Sequence, residues 1–337
     1  MRKSPMRAGD RSKINPTRRR VIQLVAAATG ISFLPSQAKA STPTVHWAGR
    51  LMGAEAELTL YHEDESTARR AIESVVAEAQ RLERIFSLYH PSSQLIELNT
   101  KGALASPPTE MVKLLEQSRA FWKVTGGVFD PTVQPLFEHY ADRFSSLGSA
   151  KKQPLVQVLD RVGFDNVTYN DELVSFNKPG MALTLNGIAQ GYITDRVHDM
   201  LKAAGFKAAL INMGEYRALG PKCDDTPWRV GIADAKKPWQ LYDTLEVSGG
   251  AIATSAPSGA TFDADGRHHH LLHPHLGTSP SYYRSVTVKA PSATCADALS
   301  TAFSIMPVDD IKRVALRMAD VGVLLRTQAD EQIRVNL

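Results

Sequence analysis

Apolar residues recur at steps of three and four through Ile72, Val75, Val76, Ala79, Leu82 and Ile85. That is the period of a helix with one face in a core, and it predicts a helix over 64–88, ended by Pro91-Ser92-Ser93. Ahead of it, residues 45–62 alternate and then turn polar, which predicts two strands joined at Met52-Gly53. A second helix fits 108–124, with Pro108 at its start and Gly126-Gly127 behind it. Residues 150–180 read as a short helix and a β-hairpin, and 188–204 as a third long helix closed by Gly205. Strands are expected at 208–212, 228–232, 245–248, 286–288, 321–326 and 332–336, and helices at about 296–305 and 309–318. Residues 256–280 are rich in Gly, His, Pro and Ser and predict a long loop, a length that is more often functional than idle. Helices and strands mix without regular βαβ alternation and without an internal repeat. The expected class is therefore α+β, with mixed sheets and packed helices.

Composition adds a leader to that picture. The chain has 337 residues, 43% of them hydrophobic and 22% charged, as in ordinary globular proteins. Its net charge of +4 is misleading, because residues 1–40 hold nine Lys/Arg and one acid, and what remains is slightly acidic, at about −4. A basic footprint for nucleic acid is thereby excluded. The leader itself runs from Thr17-Arg18-Arg19-Arg20 through the apolar Val21–Leu34 stretch to Ala38-Lys39-Ala40. This is the three-part plan of an export signal, and the paired arginines suit the twin-arginine route. The expected division is a signal peptide over 1–40 and one domain over 41–337, in a periplasmic protein. Cys223 and Cys295 could pair in such a compartment, but Cys295 opens an apolar helical run and reads better as a small buried hydrophobe.

Five segments could carry chemistry. In Thr184-Leu185-Asn186-Gly187-Ile188-Ala189-Gln190-Gly191-Tyr192 a strand enters a Gly turn and a helix begins, which suits a phosphate, although many such turns bind nothing. In Ala296-Asp297-Ala298-Leu299-Ser300-Thr301 the residues Asp297 and Thr301 stand four apart on one helix face. A carboxylate and a hydroxyl placed so can hold a hard cation, or can be a cap and a buried polar group. The cluster His268, His269, His270, His273 and His275 lacks zinc-helix spacing, and one of its members could be a general base. Gly127-Val128-Phe129-Asp130-Pro131 and Phe86-Ser87-Leu88-Tyr89-His90 read equally well as turns or as pocket walls.

Taken in order, these segments resemble the FAD:protein FMN transferase family, the ApbE-type flavinylation enzymes, over roughly residues 47–327. Met52-Gly53, Leu95 to Asn99, Gln134-Pro135-Leu136, Ile211-Asn212-Met213-Gly214, Ala253-Thr254-Ser255 and His269-His270-Leu271-Leu272-His273-Pro274 complete the resemblance. It implies an ApbE-like fold and Mg²⁺-dependent transfer of FMN from FAD to a Ser or Thr hydroxyl of an acceptor flavoprotein, with release of AMP. It also implies roles. Asp297 and Thr301, with the Gly187 carbonyl and Ser300, would hold Mg²⁺. Met52, Tyr89, Val128, Phe129, Asp130, Thr184, Gln190 and Leu272 match positions that contact FAD, and His270 matches the catalytic histidine.

The chain departs from the family pattern at several places. Thr184 stands where an Asp is frequent and Gln190 where a Lys or Glu is frequent. Gly214-Glu215-Tyr216 replaces the usual Gly-Gly-Asp, and Ala256-Pro257 follows Thr254-Ser255 where Gly is usual. These variants resemble the branch associated with periplasmic nitrous-oxide reduction, whose acceptor is a membrane-bound electron-transfer flavoprotein. Two other activities fit the same residues: an FAD pyrophosphatase that releases FMN and AMP to water, and a flavin-binding protein without catalysis.

Overall fold

A computed structural model of the chain describes residues 43–145, 153–235 and 237–337, so the leader lies outside the described residues. The strands are β1 (Thr44–Leu51), β2 (Ala54–Tyr61), β3 (Ala103–Ala105), β4 (Val167–Tyr169), β5 (Leu173–Phe176), β6 (Ala209–Asn212), β7 (Tyr216–Leu219), β8 (Trp228–Asp234), β9 (Lys237–Val247), β10 (Gly250–Ser255), β11 (Tyr283–Ala290), β12 (Gly322–Thr327) and β13 (Gln332–Val335). The helices are α1 (Glu65–Phe86), α2 (Gln94–Lys101), α3 (Thr109–Val124), α4 (Gln134–Arg143), α5 (Leu155–Leu159), α6 (Ala189–Ala203), α7 (Ala293–Phe303) and α8 (Val308–Ala315). An eight-stranded sheet ordered β1-β2-β6-β7-β10-β11-β12-β13 dominates, beside sheets of three (β3-β5-β4) and two strands (β8-β9). Every ladder among the described residues is antiparallel.

The alternation along the strands explains why the large sheet has two buried faces. Ala209 and Ile211, Ala251 and Ala253, and Val323 and Leu325 join the main core beneath α1, α6 and α7. The intervening Leu210, Ile252 and Leu324 point the other way, into a second cluster with Trp228, Val230 and Leu245 of the β8–β9 hairpin. Side chains of period two thus meet helices on one face and a hairpin on the other.

The predicted α1 is real. Asp64 caps it by accepting from Ser66 N at 2.9 Å, and Ala68, Ile72, Val75, Ala79, Leu82 and Ile85 face the core. At the β1–β2 turn Met52 and Gly53 both take positive φ, 51° and 80°, the form that matches strand twist in a two-residue hairpin. The Met52 N–H donates to Glu83 Oε1 at 3.0 Å, which ties the turn to the C-terminal end of α1. A third cluster, Leu136, Tyr140, Val158 and Leu272, joins α4 and α5 to the long loop after β10. Both cysteines are free: Cys223 is exposed, and Cys295 is buried in α7, where desolvation raises its thiol pKa to about 12.

Candidate active site

The N-terminal ends of α6 and α7 meet almost backbone to backbone. A methyl placed on Gly191 would lie 2.4 Å from the Ala293 carbonyl oxygen, so only glycine lets the helices cross this closely. The crossing brings Asp297 against the first turn of α6, where its Oδ2 accepts from the Gly191 N–H at 3.0 Å. A helix's first N–H groups lack intrahelical partners, and a carboxylate satisfies both the donor and the dipole there. Asp297 therefore does not cap its own helix. That is done by Ser292, which accepts from Cys295 N at 3.2 Å.

Thr301, one turn beyond Asp297, stands over the loop that leads into α6. A methyl on Gly187 would come within 2.9 Å of Thr301 Oγ1, so the Gly187 backbone and the Thr301 hydroxyl are neighbours. Ser300 is fully buried; its Oγ donates to the Asp297 carbonyl at 3.0 Å and lies 2.8 Å from Ser255 Oγ, at the end of β10. A hydroxyl in two hydrogen bonds keeps one lone pair. The structure thus gathers Gly187, Asp297, Ser300 and Thr301 into one corner.

Glu215, in the β6–β7 turn, is a member of this corner that sequence reasoning did not assign. Its carboxyl pKa is pushed well above the usual range by desolvation and then by the Asp297 charge, against the Thr254 backbone N–H. Asp297 is raised to about 7, by burial first, with the Gly191 N–H opposing and the Asp195 carboxylate adding to the rise. Two desolvated carboxylates raised in this way, among hydroxyl and carbonyl oxygens, form a donor set suited to a hard divalent cation. The only sequence signal for Glu215 was its place in Gly214-Glu215-Tyr216.

The positions expected to contact FAD do not form one cluster, and contacts join only some of them. Thr184 N donates to the Pro131 carbonyl at 2.8 Å, and Thr184 Oγ1 accepts from Asn186 N at 3.3 Å. Asn186 Nδ2 in turn donates to Tyr89 Oη at 3.1 Å, and the Tyr89 ring is 45% exposed, open to stacking. Gln190 lies over Gly214, where an added methyl would meet its Nε2 at 2.7 Å. Val128 is half-buried, and Phe129 is buried edge-on to Phe121. Both Asp130 oxygens are already engaged within the protein: Oδ1 accepts from Thr132 N and Oγ1, and Oδ2 from Trp122 Nε1 at 3.2 Å and Phe164 N at 3.0 Å. Asp130 therefore shapes the turn over Pro131–Val133. Leu272 is buried in the cluster under the loop.

That loop, residues 256–282, carries His270. Its ring Nδ1 lies 3.1 Å from the Ala260 carbonyl, which can only accept, so Nδ1 carries the proton and Nε2 keeps its lone pair. Desolvation lowers the His270 pKa, with the Ala260 carbonyl opposing, so the ring is neutral at pH 7. The other histidines separate from it. His269 is fully buried with Nδ1 unpartnered and a pKa near 4, set by burial first. His268 binds Asp263 at 2.7 Å, and His273 accepts weakly from His275 N. No metal cluster of three or more His, Cys, Asp or Glu exists among the described residues. A cleft of about 490 Å³ beside Lys113, Arg196 and Arg217 contains none of the predicted flavin or cation residues.

The family model described as "ApbE family" matches residues 52–325, which contain both the oxygen-rich corner and the histidine loop. The chain belongs to the ApbE family. Among curated relatives, the FAD:protein FMN transferase of Treponema pallidum is 28% identical over 70% of this chain and 71% of its own. The Haemophilus influenzae protein of the same name is 26% identical over 87% and 88%. Of solved structures, the ApbE protein of Thermotoga maritima superposes with a TM-score of 0.78 at 26% identity, over 87% of this chain and 97% of that one. The apo flavinyl transferase ApbE of Pseudomonas stutzeri, at 22% identity and a TM-score of 0.75, shares the fold. The α+β class and the ApbE-like fold expected from sequence are those observed.

Proposed function

We propose that this chain is an Mg²⁺-dependent FAD:protein FMN transferase. The observation that carries the reading is the pairing, within a match to the ApbE family, of an all-oxygen acidic corner with a half-buried neutral histidine. Asp297, Thr301, Ser300 and the Gly187 carbonyl would hold the ion, with Glu215 beside them. When bound there, Mg²⁺ neutralises the pyrophosphate and stabilises charge on the leaving AMP.

His270 Nε2 accepts the proton of the acceptor Ser or Thr hydroxyl. The hydroxyl oxygen attacks the phosphorus on the FMN side of the FAD pyrophosphate. The bond from that phosphorus to the bridging oxygen breaks, its electron pair leaves with AMP, and the flavin remains on the acceptor as a phosphoester. The exposed Tyr89 ring and the Thr184–Asn186 segment line the flavin side, and Met52, Val128, Phe129, Gln190 and Leu272 form its surroundings.

The leader supports export to the periplasm. The variants at Thr184, Gln190, Glu215 and Ala256 support a membrane-bound electron-transfer flavoprotein of nitrous-oxide reduction as the acceptor. The test combines mature protein, FAD, Mg²⁺ and that acceptor domain, read by in-gel flavin fluorescence. A fluorescent acceptor band abolished by EDTA is the expected result. FMN and AMP release without a band assigns water as the acceptor, and neither signal leaves flavin binding without transfer.

A further inference from the structure

Asp195, on α6, is bound to both α7 and β7, and neither the metal corner nor the flavin positions include it. Its Oδ1 accepts from Ala293 N at 2.7 Å, and its Oδ2 from Thr294 N at 2.9 Å and Thr294 Oγ1 at 2.6 Å. The first two N–H groups of α7 are thus satisfied by a side chain from the neighbouring helix, while Ser292 satisfies the third. The same Oδ1 is ion-paired with Arg217 of β7, two residues beyond Glu215. Both partners are 15% exposed, so water screens the pair little.

The two helices therefore cap each other. A carboxylate of α6 holds the N-terminus of α7, and a carboxylate of α7, Asp297, holds an N–H of the first turn of α6. The Gly191 crossing lies between the two caps. Arg217 joins β7, and with it the turn that carries Glu215, to the same brace. Thr194, one residue before it, donates its Oγ1 to the Glu215 carbonyl at 3.3 Å, so α6, α7 and the Glu215 turn meet within one residue of Asp195.

We propose that Asp195 is a positioning residue that sets the register of α7 against α6, and so places Asp297 and Thr301 for the cation. The proposal rests on reading that corner as the metal site. A slide of α7 of an ångström would misplace the oxygens, and hard divalent ions tolerate little of that.

The test is Mn²⁺ binding to the whole mature protein at fixed pH, followed by electron paramagnetic resonance, for Asp195→Asn, Arg217→Gln and Thr294→Val, with the thermal midpoint taken on each sample. Asp195→Asn should weaken Mn²⁺ binding by about 10-fold, the lower range for lost outer-shell support. Arg217→Gln and Thr294→Val should weaken it less, and flavin transfer by all three should recover at saturating metal. Unchanged affinity with lowered midpoints would make the brace a stability element only. Tighter binding by Arg217→Gln with a silent Thr294→Val would mean that Asp195 acts through its charge and not through position. If Asp195→Asn does not fold, the other two variants decide between these outcomes. Asp297→Ala serves as the control: if it binds Mn²⁺ like the wild type, the metal reading fails and not the brace.

Discussion

The two parts of the site are built by opposite means. The oxygen-rich corner stands on two helices in backbone contact, with Asp297 fixed by Gly191 and Ser300 by Ser255, and it is braced from outside by Asp195 on Ala293 and Thr294. The histidine loop has little regular structure. It is held by a satellite cluster under Leu272 and Phe262 and by single bonds such as Tyr140 Oη to the Gly277 carbonyl at 2.7 Å. Rigid elements place oxygens to tenths of an ångström, whereas a loop can yield to an incoming protein and still present one nitrogen. The two parts should therefore fail separately.

Four experiments test that separation. Asp297→Ala should cause the largest loss, on the order of 1,000-fold in transfer, with metal affinity lost and circular dichroism unchanged; retained transfer would remove the corner from the chemistry. His270→Ala should slow transfer by about 100-fold or more while FAD binding, followed by flavin fluorescence, stays as it was. Because burial holds the His270 pKa below its ordinary value, wild-type transfer should persist below pH 6.5 before protonation ends it, and the variant should lose that acid limb.

Gly191→Ala should destabilise the protein by roughly 1–3 kcal/mol in denaturant titration, since the Ala293 carbonyl is backbone and cannot move aside alone. The smallest effect concerns pH. In the metal-free protein the Asp297 pKa, about 7, lies above the unfolded carboxylate value. Its favourable contribution is present below the unfolded value and is lost as pH rises through 7. Asp297→Asn stays neutral, so at pH 8 its thermal midpoint should exceed that of the metal-free wild type by a few degrees, and the two should converge near pH 4. Equal midpoints at both pH values would mean that the carboxyl is not strained.

Much of this was legible in the sequence, and the exceptions share a cause. The helical periods of α1, α3 and α6 and the Met52-Gly53 turn are local, and each element lies within a few residues of its predicted bounds. Asp297 and Thr301 were readable because they share a helix face. The helices α2 and α4 escaped notice: α2 is only two turns long, and α4 follows Asp130-Pro131 and contains Pro135, which reads as a turn. α7 starts at Ala293 and not at 296, because Ser292 is its cap. β9 extends back to Lys237, since its outer half is exposed and shows no apolar alternation. Glu215 and Asp195 were missed for a different reason. What makes them matter is a partner across the fold, 82 positions away from Glu215 at Asp297 and on α7 for Asp195, and no local pattern records that.

The most direct measurement of the account is Mn²⁺ affinity and FMN transfer on the same preparation of His270→Ala, with FAD present. Independent parts predict wild-type affinity for the ion and transfer lowered by about 100-fold. Affinity that falls together with transfer would contradict it, because the histidine loop would then be part of the cation site.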